Sequence, residues 1–484
     1  MKNQFLFFVL VFVTFLVLIS PDPMSDPDFG WHIRAGERIV TTHSIPRIDW
    51  FSYTLPDYSW VNHEWLQDSI VYTFWKFGGL FGVQLWYAIL ASILIFLLLP
   101  RLVTNKLSTE VSGILALLTA GFLTSTAFWR PQIITIIFFT LILVLFKKIK
   151  NTNNTGLALW FVPLFFFWAN LHGGFAIGIC LTAWILFVEY FKYDFLQYNK
   201  ENQFIRRSET LTKETWLASL KWFSVSIPLT LLNPYGWRIY EEAIRTIRDP
   251  IAKQIITEWL PTQISSPLGA LIIIFTIFLI TLFVLREDRP DLTNLTLIIL
   301  FLIIGLSSYR HAIFFIIICI PELTRIRITI PQSKIKTFGT ILLATCVVIL
   351  AQIKPNFFGS SVQNTNNSVS YPADALTFLN GRQEHTRIFN SYGWGGYIIF
   401  ENPDTKTFID GRMAHWQTDD RKSFLKIYDN TSKMRPGWQK TLEEYDVNLV
   451  LVQPNEPIAE GLRLLPTLWE KVYEDKIALI YIKK

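Results

Sequence analysis

The sequence predicts an α-helical polytopic membrane protein that carries a soluble α/β domain at its C-terminus. Three observations predict it: repeated apolar runs of membrane length, basic loops gathered on one side, and an abrupt change to a polar, charge-balanced tail. Hydrophobic residues make up 51% of the 484 and charged residues only 17%, while 40 Phe and 18 Trp supply large apolar and interfacial rings. Mean hydropathy is +0.33, which suits a multi-span chain and not a soluble one. The net charge of +6 does not point to nucleic acid. From residue 354 onward about 16 basic residues balance about 16 acidic ones, so the excess lies in the membrane part and reads as topology.

Apolar runs of about 17–22 residues recur near 4–20, 82–100, 112–129, 131–146, 157–171, 174–191, 216–232, 267–285, 292–307, 311–324 and 337–353. They predict about eleven transmembrane helices. The first run is longer than a signal-peptide core and no small-residue cleavage site follows it, so it is read as a retained span. Very short turns join the pairs around Arg130, around Asn170–Gly174 and around Arg310-His311. With a cytoplasmic N-terminus, the basic loops at Arg101/Lys106, Lys147–Lys150, Lys192–Lys221, Arg286/Arg289 and Arg325–Lys336 share the cytoplasmic side. Residues 21–81, loop 233–266 and the tail then lie outside, in a cell (plasma or inner) membrane protein.

The predicted organisation is a transmembrane domain over 1–353 with a large first external loop at 21–81, a linker over 354–370, and an extracytoplasmic α/β domain over 371–484. Within the tail, YPADALTFLN, DDRKSFLKIYD and GWQKTLEEY read as helices. RIFNSYGWGGYIIF reads as a segment entering a strand, TKTFIDGR as a strand and turn, and VNLVLVQ and KIALIYIKK as strands. Cys180, Cys319 and Cys346 all sit in apolar runs, so no disulfide framework is expected.

Reactive side chains concentrate where the chain leaves the first run: SDPDFGWHIRAGERI, HSIPRIDWFSYT and SWVNHEWL. Asp26 is a good helix N-cap with Pro27 in the first turn, which is its structural reading. Asp28 is less fully explained, and on a helix over 28–40 it shares a face with His32, where carboxylate and imidazole can meet. Arg34 and Arg38 form a second pair, with Glu37 nearby. A carboxylate at the membrane surface can accept a proton from an attacking hydroxyl, so Asp28 and Asp26 are the candidate catalytic residues. His63-Glu64 lacks the second histidine of zinc-protease spacing and reads either as an interfacial helix start, with Trp60 and Trp65 in the headgroups, or as a substrate contact. Asp49 reads as a turn residue. Asn170 and His172, in a glycine-rich turn, and Arg310 and His311, at a span end, are candidates for substrate binding, against polar packing and snorkelling. A guanidinium there can take a phosphate through parallel hydrogen bonds. No metal ligands are assigned.

In their order along the chain, DPDFGWHIRAGERI, SWVNHEWL, NLHGG, NPYGW and WGGYIIFE…FIDGR resemble a little-characterised bacterial branch of the GT-C superfamily of polytopic glycosyltransferases. The resemblance implies a polyprenyl-phosphate-linked sugar donor, a first-loop carboxylate as general base (Asp28 or Asp26), and Arg310, His311 or His172 holding the donor phosphate. The WWDYG-like signature of the oligosaccharyltransferase branch is missing, so transfer to protein asparagine is not implied. No cofactor is required by this reading, and a divalent cation stays open.

The functional expectation is an inverting hexosyl- or pentosyltransferase that acts at the extracytoplasmic face. Its partners are a polyprenyl-phosphate sugar donor, an envelope glycan, lipid or protein acceptor, and the lipid bilayer. The alternative is a non-enzymatic transporter, flippase or assembly protein for lipid-linked envelope components. Few acids within the spans and no inverted repeat argue against transport.

Overall fold

The computed structural model describes residues 26–102, 130–198, 210–263, 291–323, 371–380 and 386–484, with the pairs 265–266, 269–270, 272–273, 276–277 and 279–280. The described residues fall into two compact units. One holds those within Leu85–Ala243 and Ile256–Phe357, the other those within Ser20–Gln84, Ile244–Ile255 and Phe358–Lys484.

The first unit is helical. Its helices include Gln132–Thr152, Phe161–Leu171, Phe175–Tyr198, Lys213–Leu229, Leu292–Ser307 and Ala312–Leu323. Their rings pack on one another, as where Phe139 meets Phe301 edge to face at 5.2 Å and Phe314 at a tilt at 4.6 Å. Other apolar side chains face outward, among them Phe187, Phe191, Ile299 and Ile303. Helices apolar all round suit a hydrocarbon surround, which also demands that every backbone group be paired within the helix. Among the described residues three helices are long and apolar enough to cross a membrane: Trp65–Leu98, Gln132–Thr152 and Phe175–Leu196. Thr155–Leu171, Leu292–Ser307 and Tyr309–Ile320 are apolar but shorter. Eleven spans are therefore not shown among the described residues. The runs 4–20, 112–129 and 337–353 and most of 267–285 lie outside the described residues, as does the 354–370 linker.

Charge is not absent from this unit. The Lys192 ammonium lies 2.6 Å from Asp291 and 3.0 Å from Glu189, and Lys150 lies 2.5 Å from Glu189 and 3.0 Å from Asp291. Glu189 also accepts the Leu211 N–H at 2.9 Å, and Asp291 caps the helix that opens at Leu292. Two cations and two anions thus neutralise one another out of water, the condition under which buried charge is tolerated.

The second unit is built on a four-stranded sheet: β1 (Ile388–Asn390), β2 (Leu449–Val452), β3 (Trp469–Glu474) and β4 (Leu479–Lys483), in the order β1-β2-β4-β3. β1 and β2 run parallel, joined by a crossover that contains three helices, and the other pairs are antiparallel. β2 is buried along its whole length, as the unbroken LVLV predicts for a strand covered on both faces. One face packs Leu449, Leu451 and Ile480 against Leu376, Leu379, Trp394 and Ile398. Near the other side, Phe389 meets Phe408 and Tyr428.

Two expectations for the tail are corrected. Gly395–Glu401, within the run read as entering a strand, is a helix, and only Ile388–Asn390 is extended. Thr407 makes isolated parallel bridges to Ser52 and Ile388 and is followed by a short 3-10 turn at Gly411–His415. The helix Pro457–Arg463 and strand β3 were not anticipated.

Residues 51–54 run beside 407–408, outside the four named strands. Thr407 N–H donates to the Phe51 carbonyl at 2.9 Å, and Thr54 Oγ1 donates to the Phe408 carbonyl at 2.8 Å. Segment 244–255 is tied in by His415 and Asp249 at 3.0 Å and by Arg245 donating to the Tyr58 hydroxyl at 2.9 Å.

Candidate active-site residues

The helix after the first apolar run spans Phe29–Thr42, so it begins later than the sequence suggests. Asp28, not Asp26, occupies the N-cap, with no side-chain capping bond. The buried Asp26 carboxylate accepts the Asp28 N–H at 3.2 Å. The Asp28 carboxylate is half-buried and accepts the Trp31 indole N–H at 3.1 Å. It lies against Gly411, where a Cβ would come 1.7 Å from Asp28 Oδ1. DPDFGW and FIDGR therefore meet at a contact that only glycine permits.

His32 does not turn to Asp28. Its Nδ1 lies 2.6 Å from Asp68 Oδ1, its Nε2 lies 3.6 Å from Glu64, and its ring stacks on Trp31 at 3.6 Å. Burial alone would lower the imidazole pKa. The carboxylates of Asp68, Glu64 and Asp28 outweigh that and raise it to about 9. Asn62 completes the group, donating to Asp68 at 2.7 Å and accepting the Glu64 N–H at 3.1 Å as the chain turns into the helix at Trp65. His63 Nε2 lies 3.6 Å from Glu64, which is thus flanked by two imidazoles. Arg34 bonds Glu37 at 2.7 Å and the Phe400 carbonyl, while Arg38 stacks on Trp50 at 4.3 Å. Trp60 is buried, not in headgroups, and the Arg412 guanidinium lies 4.7 Å from its ring.

Arg412 is a buried cation in this unit. It is paired with Asp49 and Asp410, each at 2.7 Å, and packed among Phe51, Trp60 and Trp416. Asp49 is both the expected turn residue, accepting the Phe51 N–H at 3.0 Å, and an ion-pair partner. Burial would raise the Asp49 carboxyl, but Arg412 and the hydrogen bonds from Ser52 and Phe51 hold it below its ordinary value. Burial wins at Asp410, whose carboxyl is pushed up despite the same guanidinium.

In the helical unit, the opening of helix Gln132–Thr152 organises the remaining candidates. Gly174 N–H donates to His172 Nδ1 at 2.9 Å, so Nδ1 is an acceptor and the neutral ring carries its proton on Nε2. Thr135 receives the Trp168 indole N–H at 3.0 Å and donates to the same Nδ1 at 2.7 Å. Asn170 bonds the Phe166 carbonyl within its own helix, and Asn233 of NPYGW reaches the Ala169 carbonyl at 2.7 Å. The Gln132 amide oxygen, turned toward Arg310, accepts from its guanidinium. Arg310 also stacks on Trp259 at 5.3 Å, and His311 lies 5.8 Å from that ring. Arg130 bonds both carboxylate oxygens of Glu258 at 2.5 Å. Burial would raise the Glu258 carboxyl, but Arg130, Arg310 and His311 hold it below the ordinary range.

The sequence reading missed Asp68, Asn62, Thr135 and Glu258 as members of these groups. Asp68 carried a legible signal, an acid one helical turn after Glu64 at the edge of an apolar run. Among the described residues no group of three or more His, Cys, Asp or Glu is arranged to hold a metal.

A mostly helical chain with membrane-length helices and a small C-terminal sheet defines the class, a membrane protein with an oligosaccharyltransferase-like fold. The Archaeoglobus fulgidus oligosaccharyltransferase in its apo form matches 92% of this chain and 69% of its own, with TM-score 0.58 and 12% identity. The same enzyme tethered to an acceptor peptide containing the NVT sequon matches 99% and 73%, with TM-score 0.56 and 12% identity. Archaeal oligosaccharyltransferase AglB from Archaeoglobus fulgidus, in complex with an inhibitory peptide and a dolichol-phosphate, matches 92% and 69%, with TM-score 0.54 and 11% identity. At such identity the likeness is one of fold. No family model matches the sequence, and neither does any curated protein.

Proposed function

We propose that the chain is a membrane glycosyltransferase that moves a sugar from a polyprenyl-phosphate-linked donor to an envelope acceptor at the extracytoplasmic face. The observation that carries this reading is the fold likeness over nearly the whole chain to an oligosaccharyltransferase whose structures include a dolichol-phosphate complex. Asp28 is the general base. It is the accessible member of the aspartate pair, whereas Asp26 is buried and occupied with the Asp28 N–H.

The acceptor hydroxyl attacks the anomeric carbon, its proton passes to the Asp28 carboxylate, and the bond from that carbon to the phosphate oxygen breaks with inversion. The phosphate leaves carrying the electron pair, and Arg310, His311 or His172 stabilises the charge gathering on it. His172 donates from Nε2, since Nδ1 is taken by Gly174 and Thr135. His32, Arg34, His63 and Glu64 are the substrate-binding residues of this loop, with His32 held by Asp68.

The test is transfer from a lipid-linked sugar in membranes that contain the full chain. Asp28→Asn abolishes transfer while folded protein persists. Full activity in that variant removes Asp28 as the base.

A further inference from the structure

A threonine inside a helix commonly turns its hydroxyl back onto the carbonyl four residues earlier. Thr140 and Thr152 of helix Gln132–Thr152 do so, onto Ile136 and Lys148, each at 2.8 Å. Thr135 of the same helix turns its hydroxyl across to the end of helix Phe161–Leu171. Its oxygen takes the Trp168 indole N–H at 3.0 Å and stands 2.7 Å from His172 Nδ1. An indole nitrogen only donates, so the threonine proton is directed to the imidazole.

The surroundings hold that direction. Trp168 is fully buried and stacks on Phe138 at 5.5 Å and on Phe165 at 6.0 Å. Gly178 lets helix Phe175–Tyr198 lie against the indole, where a Cβ would come 2.2 Å from the ring. Gly174 gives a second clearance. A Cβ there would meet Thr135 Oγ1 at 2.1 Å and His172 Nδ1 at 2.9 Å, so a larger residue would drive hydroxyl and ring apart. Three helices thus converge on one hydroxyl.

We infer that Thr135 is the positioning residue of His172, fixing both the orientation of the ring and the tautomer that carries its proton on Nε2. This goes beyond the reading of His172 as a phosphate contact, and it rests on that reading for its bearing on the lipid-phosphate donor. An imidazole held by nothing exchanges between two tautomers, and in one of them Nε2 is an acceptor that repels a phosphate oxygen. A hydroxyl proton delivered to Nδ1 removes that fraction before the donor arrives.

The test has a spectroscopic arm and a binding arm. The full chain, carrying isotope-labelled histidine and held in detergent, gives ring spectra for its 7 histidines, and the one lost in His172→Gln is that of His172. The wild-type ring carries its proton on Nε2. Thr135→Val brings in a second population protonated on Nδ1, and Thr135→Ser, which keeps the hydroxyl, restores the wild-type pattern. Farnesyl phosphate binds Thr135→Val severalfold more weakly, in proportion to the fraction of rings in the wrong tautomer, and Thr135→Ser recovers the affinity. A wild-type ring protonated on Nδ1, or a Thr135→Val ring identical with the wild type, overturns the inference. So does a second population that Thr135→Ser fails to remove, since packing then explains it. If Thr135→Val does not fold, Trp168→Phe takes its place, because the hydroxyl then loses its fixed direction. A second population there supports the inference and an unchanged ring overturns it. A tautomer that shifts as expected while farnesyl phosphate affinity stays constant sinks His172 as a phosphate contact and leaves the role of Thr135 standing.

Discussion

Arg412 Nη1 donates to Asp49 Oδ1 at 2.7 Å with both side chains out of water, joining the first loop to the C-terminal tail. A guanidinium enclosed by three aromatic rings and two carboxylates has no water to fall back on. Its partners become structural requirements.

Asp49→Asn therefore destabilises the full chain by about 3–5 kcal/mol, the usual cost of breaking one side of a buried ion pair. The exposed pair Arg387–Asp446 supplies the control, and Asp446→Asn costs under about 1 kcal/mol. Thermal unfolding in detergent measures both, and equal losses would contradict the buried role.

His32 makes stability depend on pH. Its folded pKa, about 9, lies above its ordinary 6.5, so the folded protein holds this proton more tightly than the unfolded chain. The stabilisation is complete below pH 6.5 and is lost as pH rises through about 9. Melting temperature should fall across that window in the wild type and more shallowly in His32→Gln. A slope unchanged by the substitution would place the effect elsewhere.

Gly30 and Gly396 belong to helices in van der Waals contact, since a Cβ on Gly30 would lie 2.0 Å from the Gly396 carbonyl oxygen. Gly30→Ala forces backbone apart and should cost more than about 2 kcal/mol. Gly393→Ala meets nothing within 4 Å and serves as the comparison. Limited proteolysis of the full chain reads the difference.

Breaking the four-charge group of the helical unit should be costly on one side and partly rescued on both. Lys192→Met strands Glu189 and Asp291 beside a single cation, at about 3–5 kcal/mol. Adding Asp291→Leu leaves Lys150 with Glu189 and should recover part of the loss, although the helix cap at Thr293 is then forfeited. A double variant no more stable than the single one refutes the charge argument.

The two first-loop aspartates should separate in activity. Asp28→Asn lowers sugar transfer by about 100-fold or more, as expected on removing a general base. Asp26→Asn keeps an oxygen that accepts the Asp28 N–H and should retain most activity. The opposite ranking in the membrane transfer assay would exchange their roles.

Much of the chain was legible. The helices beginning at Gln132, Phe175 and Leu292 announce themselves as long apolar runs, and β2 and most of β4 as short ones, because burial leaves a direct mark on composition. The special residues were legible as positions. Asp28, Arg310 and the glycines of WGG and DGR stand out from their surroundings.

What tertiary structure alone decided is which of them meet. His32 takes Asp68 instead of Asp28, Arg412 reaches back to Asp49, and Arg130 finds Glu258. Local spacing reports neighbours on one helix or strand. A pairing between distant segments is set by how helices and loops stack, and it leaves no period in the sequence to read.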